Sequence, residues 1–197
     1  MPRPKRRVVV LAAAACAAAV AVGLLVTGFG NGGSNGVTYL EGTTNAVMYS
    51  TGHRSQAPDF SGSTLTGAPL HFSAYRGKVV VLNFWGSWCV ACRSEAAALA
   101  AVAQRYRPAG VSFLGVDVRD STVNAEAFTR SQGIGYPSVS DPQDAITLDF
   151  TSVVPLSATP TTLVVDKTGH IAGAVFGEAT YSELNTLLTK VTGKADD

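Results

Sequence analysis

Two cysteines separated by two residues, Cys89 and Cys92, are the side chains in this sequence best spaced for covalent chemistry. An apolar run precedes them and an Ala-rich segment follows, which predicts that they lie at the N-terminus of a helix. Free amide N–H groups and the positive end of the helix dipole there favour a thiolate, lowering a cysteine pKa from about 8.5 to roughly 3.5–7.5. One helical turn brings the second sulfur within bridging reach. The spacing therefore predicts that Cys89 attacks a disulfide and that Cys92 resolves the mixed disulfide.

A structural disulfide or half of a metal site is the alternative for an isolated pair of this spacing. The sequence has 3 cysteines and 3 histidines, and it offers no second Cys-x-x-Cys or Cys-His pair to complete a zinc site. The histidines, His53, His71 and His170, are isolated from one another, as surface or packing residues are. We therefore expect no metal and no bound cofactor.

The elements around the pair alternate between strand and helix. Residues 79–85 (VVVLNFW) form an apolar run rich in β-branched and aromatic residues, typical of a strand covered on both faces. Residues 95–106 have helical spacing and end before Pro108 and Gly110. The other predicted elements are a hairpin around 59–72, a strand over 111–116, a helix over 122–132, a strand over 136–139, a small helix ending at 150, a hairpin of strands 161–165 and 170–176, and a helix ending near 191. This order predicts an α/β fold with a mixed central sheet flanked by helices.

The pattern of the first 29 residues, a basic cluster followed by an uncharged apolar run, predicts a membrane anchor or a signal segment. Residues 8–29 carry no charge, and at about 1.5 Å rise per residue such a helix spans roughly 33 Å, close to a bilayer core. Basic residues precede this run and place the N-terminus in the cytoplasm by the positive-inside rule. They are Arg3, Lys5, Arg6 and Arg7. We expect an uncleaved single-pass anchor. The alternative is a signal peptide cleaved near Gly28, and both place the body outside the cytoplasm.

Residues 30–56 are predicted to form a flexible Gly-rich linker, GNGGSNG over 30–36, and then an irregular lead-in whose apolar residues show no sustained period. The folded domain is expected over 57–192, with a short tail over 193–197. Cys16, inside the anchor segment, is expected to be a buried spectator thiol, with lipidation as the alternative.

The distribution of charge excludes nucleic acid as a partner. The chain has 15 Lys and Arg against 14 Asp and Glu. Without the four basic residues before Val8, 11 basic residues face 14 acidic ones, a balance of −3. A slightly acidic body has no positive surface for binding phosphates.

The segment NFWGSWCVACRSE, with APDF upstream and ATPTTLVVDKTGHI downstream, resembles the thioredoxin superfamily. Within it, the chain is similar to the membrane-anchored TlpA/ResA-like disulfide reductases of bacterial cell envelopes, over about residues 57–191. The resemblance implies a thioredoxin-like fold with an N-terminal hairpin and a central αβ insertion. It also implies a reductive role on protein disulfides, such as the haem-attachment cysteines of apocytochrome c, with electrons from a membrane thiol donor.

The resemblance carries over to individual positions. It implies that Cys89 is the nucleophile, that Cys92 is the resolving thiol and that Pro160 follows a cis peptide bond. Trp88 and Thr159 then border the substrate groove together with Pro160. A cis bond there sets an extended Thr159 backbone beside the thiols, free to pair with a substrate strand.

Glu95, one helical turn after Cys92, matches an acidic residue that this subfamily carries near its thiols. General thioredoxins have a buried aspartate on the central strand, where this chain has Asn83. Because an amide cannot move protons, Glu95 is the candidate for tuning or relaying protons between the sulfurs. A solvated glutamate favoured by the helix dipole is the alternative.

Two departures from the family pattern are Ala91 and Ala97, which stand where prolines are common. Two other functions remain open. One is a thiol peroxidase, because APDF also opens peroxiredoxin-like chains, although those have a threonine where this chain has Gly86. The other is a copper carrier of the thioredoxin fold, although such carriers place three residues between the cysteines and add a histidine.

Overall fold

The computed structural model describes residues 36–193, and a single large sheet forms the centre of this part. The strands, in chain order, are β1 (Val37–Tyr39), β2 (Ala46–Tyr49), β3 (Ser61–Ser63), β4 (Pro69–His71), β5 (Val80–Trp85), β6 (Ser112–Val118), β7 (Ser138–Asp141), β8 (Thr161–Val165) and β9 (Ile171–Phe176). The helices are α1 (Val90–Tyr106), α2 (Thr122–Gln132), α3 (Ala145–Thr151) and α4 (Tyr181–Thr192).

Seven strands form the central sheet in the order β1-β2-β9-β8-β5-β6-β7, and β3 pairs with β4 in a separate hairpin. The pairs β5–β6 and β6–β7 are parallel, whereas β5–β8, β8–β9, β9–β2 and β2–β1 are antiparallel. All six residues of β5 are buried, as expected for a strand covered on both faces. The sheet is therefore mixed and flanked by helices, which confirms the predicted fold class.

The two faces of the sheet bury alternate residues of each strand. One face packs Leu82 and Phe84 against the stacked rings of Phe60 and Phe72 and the ring of Phe150. The opposite face is covered by α1, α2 and α4 and carries the cysteines. Because β5 leads directly to the N-terminus of α1, the thiols lie at the end of a fully buried strand.

The expectation of an irregular lead-in is wrong for part of residues 37–56. β1 and β2 belong to the central sheet, and the buried Val47 pairs with Ala174 of β9. An ion pair of 2.8 Å between Arg54 and Asp166 also fixes this segment. Strands of three and four residues are too short to show an alternating pattern, and their partner lies near the other end of the chain.

Two other predicted boundaries differ from the structure. α1 begins at Val90 rather than at residue 95, and β7 runs over Ser138–Asp141 rather than 136–139. The predicted anchor over 1–29 and Cys16 lie outside the described residues, as does most of the predicted tail. Within residues 36–193, no helix is both long enough and apolar enough to cross a bilayer.

Candidate active site

Cys89 and Cys92 form a disulfide at the N-terminus of α1, with their Cα atoms 5.3 Å apart. Cys89 is the N-cap residue of this 17-residue helix, and its Sγ accepts a hydrogen bond of 3.0 Å from the backbone N–H of Cys92. A thiolate at the same position would accept the same bond and face the positive end of the helix dipole. The exposed fractions of Cys89 and Cys92 are 6% and 2%, so the first cysteine is the more accessible one.

Thr159 lies directly beside the first sulfur. Its carbonyl oxygen is 3.7 Å from Cys89 Sγ. The Thr159–Pro160 peptide bond is cis, in agreement with the geometry that the resemblance implies, and β8 begins at the next residue. The structure therefore brings Cys89, Thr159 and Pro160 together at one end of the sheet.

Trp88 directly precedes Cys89 in the chain and is 50% exposed. Its indole N–H donates a hydrogen bond of 3.0 Å to the backbone oxygen of Val118. The guanidinium of Arg119 lies 5.6 Å from the centroid of the indole ring and forms an ion pair of 3.3 Å with Asp144. An exposed aromatic ring is thus held in place beside the sulfur by the chain that follows β6.

Sequence reasoning missed Arg119 and Asp144. Both have left-handed backbones, with φ of 51° and 60°, and they are the non-glycine residues with positive φ in the described chain. This conformation is uncommon for residues with a side chain, and it concentrates at functional sites. Neither residue type signals it in the sequence.

Asp120 holds the loop that carries the motif. One carboxylate oxygen accepts a hydrogen bond of 2.7 Å from the backbone N–H of Ser87, and the other accepts one of 2.8 Å from the N–H of Ser121. This side chain therefore joins the loop before Cys89 to the start of α2. Nothing in the sequence marks Asp120 for this role, because its partner Ser87 lies 33 residues away.

Glu95 lies inside the protein, with 1% of its surface exposed, so the alternative of a solvated glutamate is wrong. One carboxylate oxygen accepts a hydrogen bond from the side-chain amide of Asn83, and the other accepts one from the backbone N–H of Ala179, both of 2.8 Å. Asn83 also donates to the hydroxyl of Thr162 at 3.0 Å. These contacts tie α1 to β5, β8 and the segment before α4.

Burial raises the pKa of Glu95 to about 7. The hydrogen bonds from Ala179 and Asn83 act in the opposite direction, and the nearby carboxylate of Glu178 adds to the increase. A carboxyl group with this pKa exchanges its proton near neutral pH.

The three histidines lie apart from the disulfide, and each bonds to a neighbouring hydroxyl group. The contacts are His53 with Ser50 at 3.1 Å, His71 with Ser61 at 2.9 Å, and His170 with Thr168 at 2.9 Å. Over residues 36–193, no group of three or more His, Cys, Asp or Glu side chains is arranged to hold a metal ion.

A mixed sheet, a disulfide at the start of the helix after its central strand and a cis-proline facing that disulfide define the class of thioredoxin-fold dithiol–disulfide proteins. Residues 54–174 match the model of the AhpC/TSA family, and the chain belongs to this family.

Curated relatives agree with this class. The chain is 36% identical over 137 residues to the thiol-disulfide oxidoreductase ResA of Geobacillus thermodenitrificans (strain NG80-2), covering 70% of this chain and 76% of that protein. It is 32% identical over 137 residues to ResA of Bacillus subtilis (strain 168), covering 70% and 74%.

Solved structures show the same similarity. A secreted thiol-disulfide isomerase from Corynebacterium glutamicum superposes with a TM-score of 0.71 and 31% identity, covering 81% of this chain and 100% of that one. A DsbF homologue from Corynebacterium diphtheriae gives 0.66 and 33%, covering 78% and 97%. With the disulfide at Cys89 and Cys92, these similarities make the chain a thiol-disulfide oxidoreductase.

Proposed function

We propose that this chain is a membrane-tethered protein-disulfide reductase that acts outside the cytoplasm, with Cys89 as the attacking thiol. The observation that carries the proposal is the contact of 3.0 Å between the Cys92 N–H and Cys89 Sγ at the N-cap of α1. This N–H and the helix dipole stabilise negative charge on the first sulfur and on no other described thiol.

In the proposed reaction the Cys89 thiolate attacks one sulfur of a client disulfide. The client S–S bond breaks, its second sulfur leaves as a thiolate, and Cys89 is joined to the client. Cys92 then loses its proton and attacks Cys89 Sγ. The internal disulfide forms and the client leaves as a dithiol, so two electrons have passed from the enzyme to the client. A donor dithiol reverses these steps on the enzyme.

We propose that Glu95 tunes or accepts the proton that Cys92 loses. The support is its burial one helical turn from Cys92 and a pKa of about 7. Its hydrogen bonds come from Asn83 and Ala179, which are neutral donors that fix the carboxylate without neutralising it.

We propose that Trp88, Thr159 and Pro160 contact the client. The support is that the indole of Trp88, next to Cys89 in the chain, is half-exposed, and that the Thr159 carbonyl oxygen lies 3.7 Å from Cys89 Sγ. An extended client segment can pair with the Thr159 backbone while its disulfide faces Cys89.

The reductive direction, the apocytochrome c client and a membrane thiol donor follow from the resemblance to TlpA/ResA-like proteins. The reduction potential of the pair tests the direction. A value near about −270 mV supports a reductase, whereas a value near about −120 mV supports an oxidant.

The location outside the cytoplasm rests on the charge pattern of residues 1–29 and on the similarity to a protein described as secreted. The test is a reporter that can be active only in the cytoplasm, fused after Asp197. Activity of this reporter would contradict a location outside the cytoplasm.

Three assays on the purified chain distinguish the candidate functions. Reduction of insulin coupled to a small dithiol, abolished by Cys89→Ser, supports the proposed function. Turnover of hydrogen peroxide that depends on Cys89, without reduction of insulin, favours a thiol peroxidase. Stoichiometric binding of copper by the reduced pair, without either activity, favours a copper carrier.

A further inference from the structure

A second buried acid, Asp117, lies on the same face of the sheet as the disulfide. In the parallel ladder it is paired with Trp85 of β5 and with Ser140 of β7. Residues paired in register point to the same face, so the Asp117 side chain lies beside Trp85. Trp85 belongs to the buried cluster that contains Cys89 and Cys92. The carboxyl group of Asp117 is therefore adjacent to the packing that supports both sulfurs.

The Asp117 carboxyl group is 0% exposed, and neither of its oxygens has a hydrogen-bond partner within residues 36–193. Two neighbouring polar atoms, the indole N–H of Trp85 and the hydroxyl of Ser138, also lack partners in this part of the chain. Buried polar groups are nearly always paired, and an unpaired buried charge is very unfavourable. This cluster is the clearest exception in the described chain.

Gly115, two residues before Asp117 on the same face of β6, gives these polar atoms their space. A Cβ at this position would lie 2.6 Å from the Trp85 indole nitrogen, and it would also overlap the Ser138 hydroxyl. The indole nitrogen of Trp85 and the hydroxyl of Ser138 therefore lie against β6 at Gly115, where the side chain of any other residue would exclude them. Asp117, Trp85 and Ser138 consequently form one polar pocket inside an apolar layer.

The carboxylates around this pocket disfavour a negative charge on Asp117. Burial, and then the carboxylates of Asp120 and Asp141, raise the pKa of Asp117 to about 7. Other titratable groups that face this layer are the buried Glu95 on α1 and Tyr136 before β7. The charged groups around it include Arg93 on α1, 5.4 Å from the Phe128 ring, the Glu126–Arg130 pair on α2, and the ion pair of Arg119, after β6, with Asp144, after β7. No cation among the described residues pairs with Asp117 itself.

We propose that Asp117 is a positioning residue for the proposed redox reaction, a buried acid whose negative charge opposes formation of the Cys89 thiolate. Asp117 lies beside Trp85, which packs in the cluster that holds Cys89. Two negative charges buried on the same face of the sheet disfavour each other, so each group raises the pKa of the other. When a donor dithiol reduces the disulfide by two electrons, Cys92 takes one proton and becomes a thiol, while Cys89 is left as a thiolate. Ionised Asp117 then takes up one further proton from solvent, and it releases this proton when the disulfide forms again. Ionisation of Asp117 thus favours the disulfide, and its protonation favours the dithiol.

This role differs from that of Glu95, whose two oxygens accept hydrogen bonds from the side chain of Asn83 and the backbone N–H of Ala179, whereas the oxygens of Asp117 have no donor among the described residues. It also differs from a purely structural role. A structural aspartate would change stability when replaced, but it would leave the pH dependence of the thiols unchanged.

The test uses the full chain with Asp117→Asn, and Ser138→Ala as the control within the same polar pocket. Alkylation of the reduced protein by iodoacetamide is followed against pH, and the redox equilibrium with glutathione is measured at about pH 6 and about pH 8. We expect Asp117→Asn to increase the alkylation rate near pH 7 by about threefold or more, because the opposing charge is absent. The redox equilibrium should also change less between the two pH values than in the wild type. Ser138→Ala should keep the wild-type profile.

Profiles of Asp117→Asn and wild type that superimpose would overturn the proposal. If Asp117→Asn does not fold, the carboxyl titration of the wild type is followed by infrared or carbon NMR spectroscopy in the oxidised and reduced proteins. A higher midpoint in the reduced protein supports the proposal, and equal midpoints overturn it. Failure to reduce insulin would contradict the proposed function alone, because alkylation and carboxyl titration do not require a client.

Discussion

The side-chain amide of Asn83 donates a hydrogen bond of 2.8 Å to the carboxylate of Glu95, in the buried layer on the side of the sheet that carries the disulfide. The same amide group bonds to Thr162, and the second carboxylate oxygen bonds to the backbone of Ala179. The acid of this buried pair, Glu95, is therefore on α1, and the amide, Asn83, is on β5. The group able to carry a proton lies on the element that begins with the cysteines.

Replacement of this acid by an amide, Glu95→Gln, should change the pH dependence of thiol reactivity. We expect the pH profile of the alkylation rate to lose the part of its change near pH 7 that comes from Glu95, whose pKa is about 7, while any part that comes from Asp117 remains. The measurement is the alkylation rate of the reduced protein between about pH 5 and about pH 9. Profiles of wild type and variant that coincide would reject a role for Glu95 in the chemistry.

Glu95→Gln should also change the dependence of stability on pH. The folded pKa of Glu95 is about 7, above its ordinary value of 4.5. Between these values the unfolded chain releases the proton that the folded chain keeps. The free energy of unfolding therefore falls as pH rises from about 4.5 to about 7, by about 3 kcal/mol from this group.

Denaturant titrations at pH 5 and pH 7.5 test this expectation. The variant should show a smaller decrease than the wild type. It should also be about 1 kcal/mol less stable at pH 5, because a glutamine presents an N–H to one of the two donors that now face the carboxylate. An equal decrease in both proteins would contradict the raised pKa of Glu95.

Cys92→Ser should accumulate mixed disulfides with client proteins, because the first thiol can still attack and nothing resolves the product. Cys89→Ser should accumulate none. Non-reducing gels of both variants, followed by mass spectrometry of the trapped species, make the comparison. Trapping by Cys89→Ser instead would reverse the assigned roles.

Gly115→Ala should destabilise the protein by about 1–3 kcal/mol, because the added methyl group overlaps the indole nitrogen of Trp85 and the hydroxyl of Ser138. Gly135→Ala is the matched control, since a Cβ there meets nothing within 4 Å. Denaturant midpoints measure both effects. A neutral Gly115→Ala would show that the polar pocket beside Asp117 adjusts freely.

Arg119→Gly and Arg119→Ala should differ in stability although both remove the contact with the Trp88 ring. The backbone of Arg119 has a φ of 51°, which glycine adopts without strain and alanine does not. We expect the glycine variant to be more stable than the alanine variant by about 1 kcal/mol. Both should show a higher KM for protein clients with little change in kcat, because Trp88 loses the guanidinium above its ring. Equal stabilities would contradict the left-handed backbone.

Features that depend on local spacing were predictable from the sequence. The cysteine pair, the buried strand before it and the proline at position 160 all lie within short, recognisable segments. The mixed sheet was predicted from the order of strands and helices, and each of these elements is recognised from its own short segment.

Features that depend on distant partners were not predictable. The burial of Glu95 requires Ala179, which is 84 residues further along the chain. Asp117 looks in the sequence like a polar end to a strand, and only the register with Trp85 places it beside the cysteine cluster. Arg119 is an ordinary surface cation by type, and nothing in the sequence indicates its left-handed backbone or its contacts with Trp88 and Asp144.

The pairing of β2 with β9 also affects how the protein behaves in concentrated solution. A chain shortened to begin at Ala57 would leave β9 as the outermost strand, with a row of unpaired N–H and C=O groups. Such an edge pairs readily with the same edge of another molecule. The natural edge is instead β1, which has three residues and offers only a short stretch for such pairing. β1 and β2 thus cover the edge of β9 that such pairing would use.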